Sequence, residues 1–100
     1  MNEVTDDKLK KYFAIAERAF TKAKESKESV KLDVLKNARG DFLDTVERYI
    51  EDAKHFSEEG DKVNAFAALN YAHGWLDAGV KLGIFDVNDN KLFAGVELEK

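Results

Sequence analysis

The run VNAFAALNYAHGW, residues 63–75, contains no formally charged side chain, in a chain whose Asp, Glu, Lys and Arg make up 36% of all residues. A helix facing water along one side is expected to carry several charges there. The run therefore predicts either a central helix covered on more than one side or a helix with part of its surface set aside for another molecule. Ala67, Ala68, Ala72, Gly74, Ala78 and Gly79 are small enough to let neighbouring helices approach on several faces, which favours the central position. Its ends are marked as well. Gly60 is a glycine stop for the preceding segment, Asp61 is an aspartate N-cap for this helix, and Gly83 is its terminator. The expected helix spans 62–82.

Working outward, Leu35, Ala38, Phe42, Val46, Tyr49, Ala53 and Phe56 recur in steps of three and four, as in a coiled-coil seam, and predict a second helix over 30–59. Gly40 interrupts it at a cost of roughly 1 kcal/mol relative to alanine, so a kink or a loosened N-terminal half is expected there. Leu9, Tyr12, Phe13, Ala16, Ala19, Phe20 and Ala23 form the stripe of a first helix, 6–27, starting after Thr5 or Asp6 as N-cap. The small polar residues at 25–29 suit a short connection. After Gly83, apolar pairs surround an Asx-rich turn, and this tail, 84–100, is expected to fold back so that Phe85, Leu92 and Phe93 cover part of the third helix. The fold class predicted is all-α: an antiparallel up-down-up three-helix bundle, one domain over 1–100, with a short C-terminal tail packed on helix three.

Composition narrows the function classes. A chain of 100 residues supports one core and not two. With no cysteine, disulfides, thiolate nucleophiles and cysteine-ligated metals are ruled out by inventory. The N-terminus is charged, without the apolar core of a signal peptide, and no apolar run approaches the roughly 18 residues that a bilayer span needs, so a cytoplasmic protein with no membrane contact is expected. A net charge of −4 repels nucleic acid. Lys8, Lys10, Lys11, Arg18, Lys22, Lys24 and Lys27 do cluster in the first segment, but Glu17, Glu25 and Glu28 interrupt them. The second segment carries Asp41, Asp44, Glu47, Glu51, Asp52, Glu58 and Glu59, so complementary solvated faces on two neighbouring helices are the simpler reading, and no nucleic-acid partner is expected.

Three constellations carry chemistry. Asn70, His73 and Asp77 share a helix face at steps of three and four, with Tyr71 and Trp75 beside them, and a histidine oriented by an aspartate one turn away is a common design for a general base or a ligand. No nucleophile stands at fixed spacing nearby, and the plainer reading is a histidine bonded at the core edge. Asp52 and His55 have the spacing of one half of a di-iron carboxylate motif, but Asn70 occupies the matching place before His73, so the second half is missing and a solvated acidic face is the better account. Asp86, Asn88, Asn90 and Glu97 fit the ligand spacing of an EF-hand loop, yet Lys91 stands where glycine makes the turn and only three residues come after Glu97. An ordinary Asx turn is therefore expected there, with weak calcium binding as an alternative. The Gly60–Asp61 turn, with Ala65 and Ala72, also resembles the middle of a tetratricopeptide repeat and supports antiparallel pairing of helices two and three.

The combination Gly60–Asp61, Asn64–Ala65, Tyr71–Ala72, Gly74–Trp75–Leu76–Asp77–Ala78 and Leu82–Gly83 resembles the archaeal helical family catalogued as domain of unknown function 357. The likeness is best from Tyr49 to Phe85, while helix one agrees only in pattern. It implies a three-helix bundle and an archaeal, cytosolic origin, and it implies no reaction, cofactor or partner. The leading functional expectation is a non-catalytic protein-interaction module, binding a protein partner or a second copy, with Asn64, Asn70, Tyr71, His73, Trp75 and Asp77 as the candidate binding face. No complete catalytic set and no cofactor site is seen. The alternative is a small-molecule or metal site built on Asn70, His73 and Asp77.

Overall fold

A computed structural model describes residues 3–27, 35, 37–87 and 92. Among the described residues three helices, α1 (Asp6–Glu25), α2 (Ala38–Glu58) and α3 (Lys62–Lys81), pack on one another, and there is no strand. The directions are set by side-chain partners. Asp6 pairs with Lys62 and Tyr12 meets Phe66, so α1 and α3 run parallel, whereas Glu17 pairs with Lys54 and Arg39 reaches the α1 C-terminus, so α2 runs against both. This is the expected up-down-up bundle.

The helix ends show why these segments are helical. The Thr5 hydroxyl accepts the Lys8 amide at 3.1 Å, and acids in the first turn (Asp6, Asp7) and bases in the last (Lys22, Lys24) complement the α1 dipole. Gly60, at φ 82°, turns α2 into α3, with the Asp61 amide donating back to the Phe56 carbonyl at 2.8 Å. Asp61 then caps α3, its carboxylate accepting from the Asn64 amide at 3.1 Å and from the Asn64 side chain at 2.7 Å. At the far end Gly83, at φ 80°, lets the Ile84 amide return to the Gly79 carbonyl at 2.8 Å, and Ile84 is buried there.

Alanines from all three helices, including Ala16, Ala19, Ala53, Ala65 and Ala72, fill the centre with Val46, Leu69 and Leu76. Small side chains on facing helices allow close packing, and α3 packs most extensively on α2. The described start of the tail, residues 84–87, packs back on the bundle. Phe85 is fully buried, lying against Gly79 of α3 and against the Phe42 ring, while Leu92 is buried and Phe93 lies outside the described residues. The Asp86 amide donates to the Lys27 carbonyl at 2.8 Å, forming an isolated antiparallel bridge.

Several expectations need correction. α1 stops at Glu25 and not at residue 27, because Ser26 turns extended and returns its amide and hydroxyl to the Ala23 carbonyl, freeing Lys27 for the bridge to Asp86. α2 begins at Ala38, so Gly40 sits in its first turn and imposes no mid-helix kink; residues 30–34 and 36, part of the expected second helix, lie outside the described residues. The ion pair Glu17–Lys54 (3.9 Å) joins α1 to α2 with the acid on α1, and Asp6–Lys62 (2.8 Å) joins α1 to α3; such exposed pairs contribute under about 1 kcal/mol each. Gly74 is exposed, with open space where a Cβ would project, so it serves no close helix contact among the described residues.

One residue with no sequence signature joins the pieces. The Arg39 guanidinium donates to the carbonyls of Ala23 (3.1 Å), Lys24 (3.0 Å), Ser26 (2.6 Å) and Ile84 (3.0 Å), and lies 5.5 Å from the centre of the Phe85 ring. It thereby adds a charged donor to the carbonyls at the C-terminus of α1, where that of Ala23 already accepts from Ser26, and ties them to α2 and the tail.

Candidate functional site

α3 occupies the middle of the bundle, yet it is not covered all round. Ala65, Ala68, Leu69, Ala72, Leu76 and Gly79 are buried, while the large hydrophobic side chains left exposed among the described residues are Val63 (68%), Tyr71 (63%), Trp75 (38%) and Leu82 (45%). At 100° per residue, Val63, Ala67, Asn70, Tyr71, Gly74, Trp75 and Ala78 fall within a single arc of roughly 140°. One side of the helix is thus the core of the bundle, and the other, a strip uncharged from Val63 to Ala78, faces water.

Two grooves flank this strip. Toward α2, Phe42, Asn70, Tyr71, Gly74, Trp75 and Ala78 line an open, apolar groove. Trp75 stands edge-on to Phe42 (4.9 Å between centroids, 84° between planes), and Tyr71 stacks on Tyr49 (5.5 Å, 21°). Pinned against α2 in this way, the two exposed aromatics form a firm surface, since each loses little further freedom on contact. Toward α1, Tyr12, Ile15, Ala16, Leu69, Asn70, His73, Gly74 and Asp77 line a second groove of about 470 Å³. His73 Nε2 lies 3.8 Å from Asp77 Oδ1, beyond hydrogen-bond length, and each side chain is 27% exposed.

The candidate residues therefore divide. Asn70, His73 and Asp77 share the α1 groove, Tyr71 and Trp75 belong to the α2 side, and Asn70 with Gly74 forms the ridge bordering both. Asn64 stands apart as the bonding partner of the Asp61 cap. The α1 groove holds polar groups able to bond a ligand over an apolar floor, and among the described residues no serine, threonine or lysine lines it as a nucleophile. Among the described residues no three His, Asp or Glu side chains converge on a point where a metal ion could sit. Asp52 and His55 are exposed on α2, and of the EF-hand-like positions only Asp86 lies within the described residues, with Asn88, Asn90 and Glu97 outside them. Sequence reading placed Phe42 and Tyr49 in the core seam and Tyr12 in the core stripe, and so missed that Phe42 and Tyr12 line the grooves and that Tyr49 backs Tyr71.

Residues 11–85 match the family model described as protein of unknown function (DUF357). The chain belongs to this family. The matched span takes in α1 from Lys11 onward, the whole of α2 and α3, and the Ile84–Phe85 anchor, so both grooves lie within the DUF357 domain. No curated protein and no solved structure matches the chain. No helix among the described residues is long and apolar enough to cross a membrane.

Proposed function

We propose that this protein is a non-catalytic protein-interaction module whose contact surface is the open strip of α3 with the aromatic edges of α2. One observation carries the reading: the exposed large hydrophobics of the described residues are concentrated on α3 and its C-cap, beside a mid-helix glycine that the fold itself does not require. Aromatic enrichment and depletion of charge mark the centres of protein interfaces, and Tyr and Trp are the side chains that most often dominate their energetics. Tyr71→Glu is expected to leave the melting temperature within a few degrees of wild type, because Tyr71 is 63% exposed, while weakening partner binding by at least about tenfold. Pull-down with wild-type and variant baits, alongside light scattering, tests this. A strictly monomeric protein with no partner retained by the wild-type bait would remove the reading.

A second reading, binding of a small polar molecule, is favoured by the α1 groove, where Asn70, His73 and Asp77 converge over Ile15 and Leu69. Fragment screening against isotope-labelled protein is expected to shift the His73 and Asn70 signals together; fragments that bind only elsewhere would end it.

A further inference from the structure

The groove between α2 and α3 has an inner support. Phe42, which lines it, meets Trp75 edge-on at 4.9 Å and also meets Phe85, at 6.5 Å between centroids and 69° between planes. Phe85 is fully buried and Trp75 is 38% exposed, so the three rings form a chain from the tail anchor out to the surface. Gly79 lies at the inner end of that chain. A Cβ there would overlap the Phe85 ring and would lie 3.4 Å from the Phe42 ring, so two aromatic rings share the space that one missing side chain provides. The ties that hold residues 84–87 down are local. The Ile84 and Phe85 amides donate to the Gly79 carbonyl at 2.8 and 3.3 Å, and the Asp86 amide donates to the Lys27 carbonyl at 2.8 Å. Arg39 bonds the Ile84 carbonyl at 3.0 Å and lies 5.5 Å from the centre of the Phe85 ring. These bonds all lie outside the intrahelical ladders of α1, α2 and α3, so the segment can lift as a unit while the helices stay intact.

We infer that residues 84–87 are a strap that controls the shape of the groove between α2 and α3. Docked, Phe85 fills the space at Gly79 and keeps Phe42 edge-on to Trp75. Lifted, it leaves a void the size of a phenyl ring beside Phe42, and close-packed interiors do not keep such voids. Phe42 then turns inward, toward Gly79, and Trp75 loses the ring that backs it. The groove is left without its α2 wall. By linkage, anything that grips Phe42 and Trp75 in the docked arrangement also holds the strap down, and lifting the strap weakens that grip by the same factor. This goes beyond the interaction-module reading, since the coupling lies in the packing beneath the groove whatever fills it.

Nuclear magnetic resonance of the full chain tests it, helped by Trp75 being the single tryptophan. In the wild-type protein the Ile84, Phe85 and Asp86 amides are expected to exchange with solvent together, at least about tenfold faster than the Leu69, Ala72 and Leu76 amides in the buried face of α3. Phe85→Ala, and the milder Phe85→Leu, are expected to shift Trp75 emission to the red, to remove the nuclear Overhauser contact between the Phe42 and Trp75 rings, and to strengthen that between Phe42 and Gly79. The Tyr49–Tyr71 contact, which the strap does not touch, is expected to stay. Circular dichroism checks that the variants fold. A folded variant that keeps the Phe42–Trp75 contact would show that Phe85 only fills the core, and one that loses the Tyr49–Tyr71 contact as well would show general loosening; either overturns the inference. If neither variant folds, exchange in the wild type decides: strap amides no faster than those of α3 overturn it. The module reading is judged separately, by pull-down and light scattering, and stands or falls independently of these results.

Discussion

Replacing Arg39 with alanine is expected to destabilise the protein by about 3 kcal/mol, a large share of the roughly 5–15 kcal/mol available to a domain of this size. The substitution removes a charged donor from the carbonyls of Ala23, Lys24, Ser26 and Ile84 at once. Those carbonyls cluster at the negative end of the α1 dipole, where a cation is most favourable, and part of the cluster is shielded from water. The ring of Phe85 loses its guanidinium neighbour as well. A loss of this size corresponds to a fall in melting temperature of about 10–20 °C, and urea titration measures it directly. Arg39→Lys should recover less than half of the loss, because an ammonium cannot present the planar, multi-donor fork that reaches several carbonyls in different directions. An alanine variant within about 0.5 kcal/mol of wild type would show that Arg39 is not the joint between α1, α2 and the tail.

The second large effect is a pair of identical substitutions with opposite signs. At Gly79 a Cβ would run into the Phe85 ring and approach Phe42, so Gly79→Ala should destabilise by about 1–3 kcal/mol even after the gain in helix propensity. At Gly74, earlier in the same helix, a Cβ meets nothing, so Gly74→Ala should stabilise by about 0.5–1 kcal/mol. If Gly74 is small because a partner backbone approaches it, the stabilised Gly74→Ala variant should also bind that partner more weakly. Thermal and urea unfolding of the two variants check the stability signs. Destabilisation at Gly74, or none at Gly79, would contradict the packing described for α3.

The contrast between these glycines shows where sequence reasoning reaches and where it stops. Cap and stop signals are local, so Thr5, Gly60, Asp61 and Gly83 could be read directly, and the structure places each at a helix end with its bonds made. The lack of charge over residues 63–75 likewise revealed a helix in an unusual setting. Which small residue faces inward was not legible, because Gly74 and Gly79 differ only in rotation about the helix axis, and that rotation is fixed by neighbours distant in the chain. The same limit applies to the candidate face. Spacing groups Asn70, His73 and Asp77 apart from Tyr71 and Trp75, but only the packed bundle shows that the first set borders α1 and the second α2. Arg39 left no trace at all, since its carbonyl partners lie 13 to 45 residues away and a carbonyl belongs to every residue type. Gly40 misled for a related reason: with the seam pattern running through it, nothing local marked Ala38 as the start of α2.

The central claim is that the open strip of α3 is where this protein meets another. Site-specific photocrosslinking tests it most directly, with a photoreactive residue placed at Tyr71 and, as a control, at the exposed Arg18 on α1, in cells that produce the protein. The expected result is a discrete protein adduct from position 71 that is absent from position 18 and is lost when Trp75→Glu is added. No adduct at position 71, or the same adducts from both positions, would contradict it.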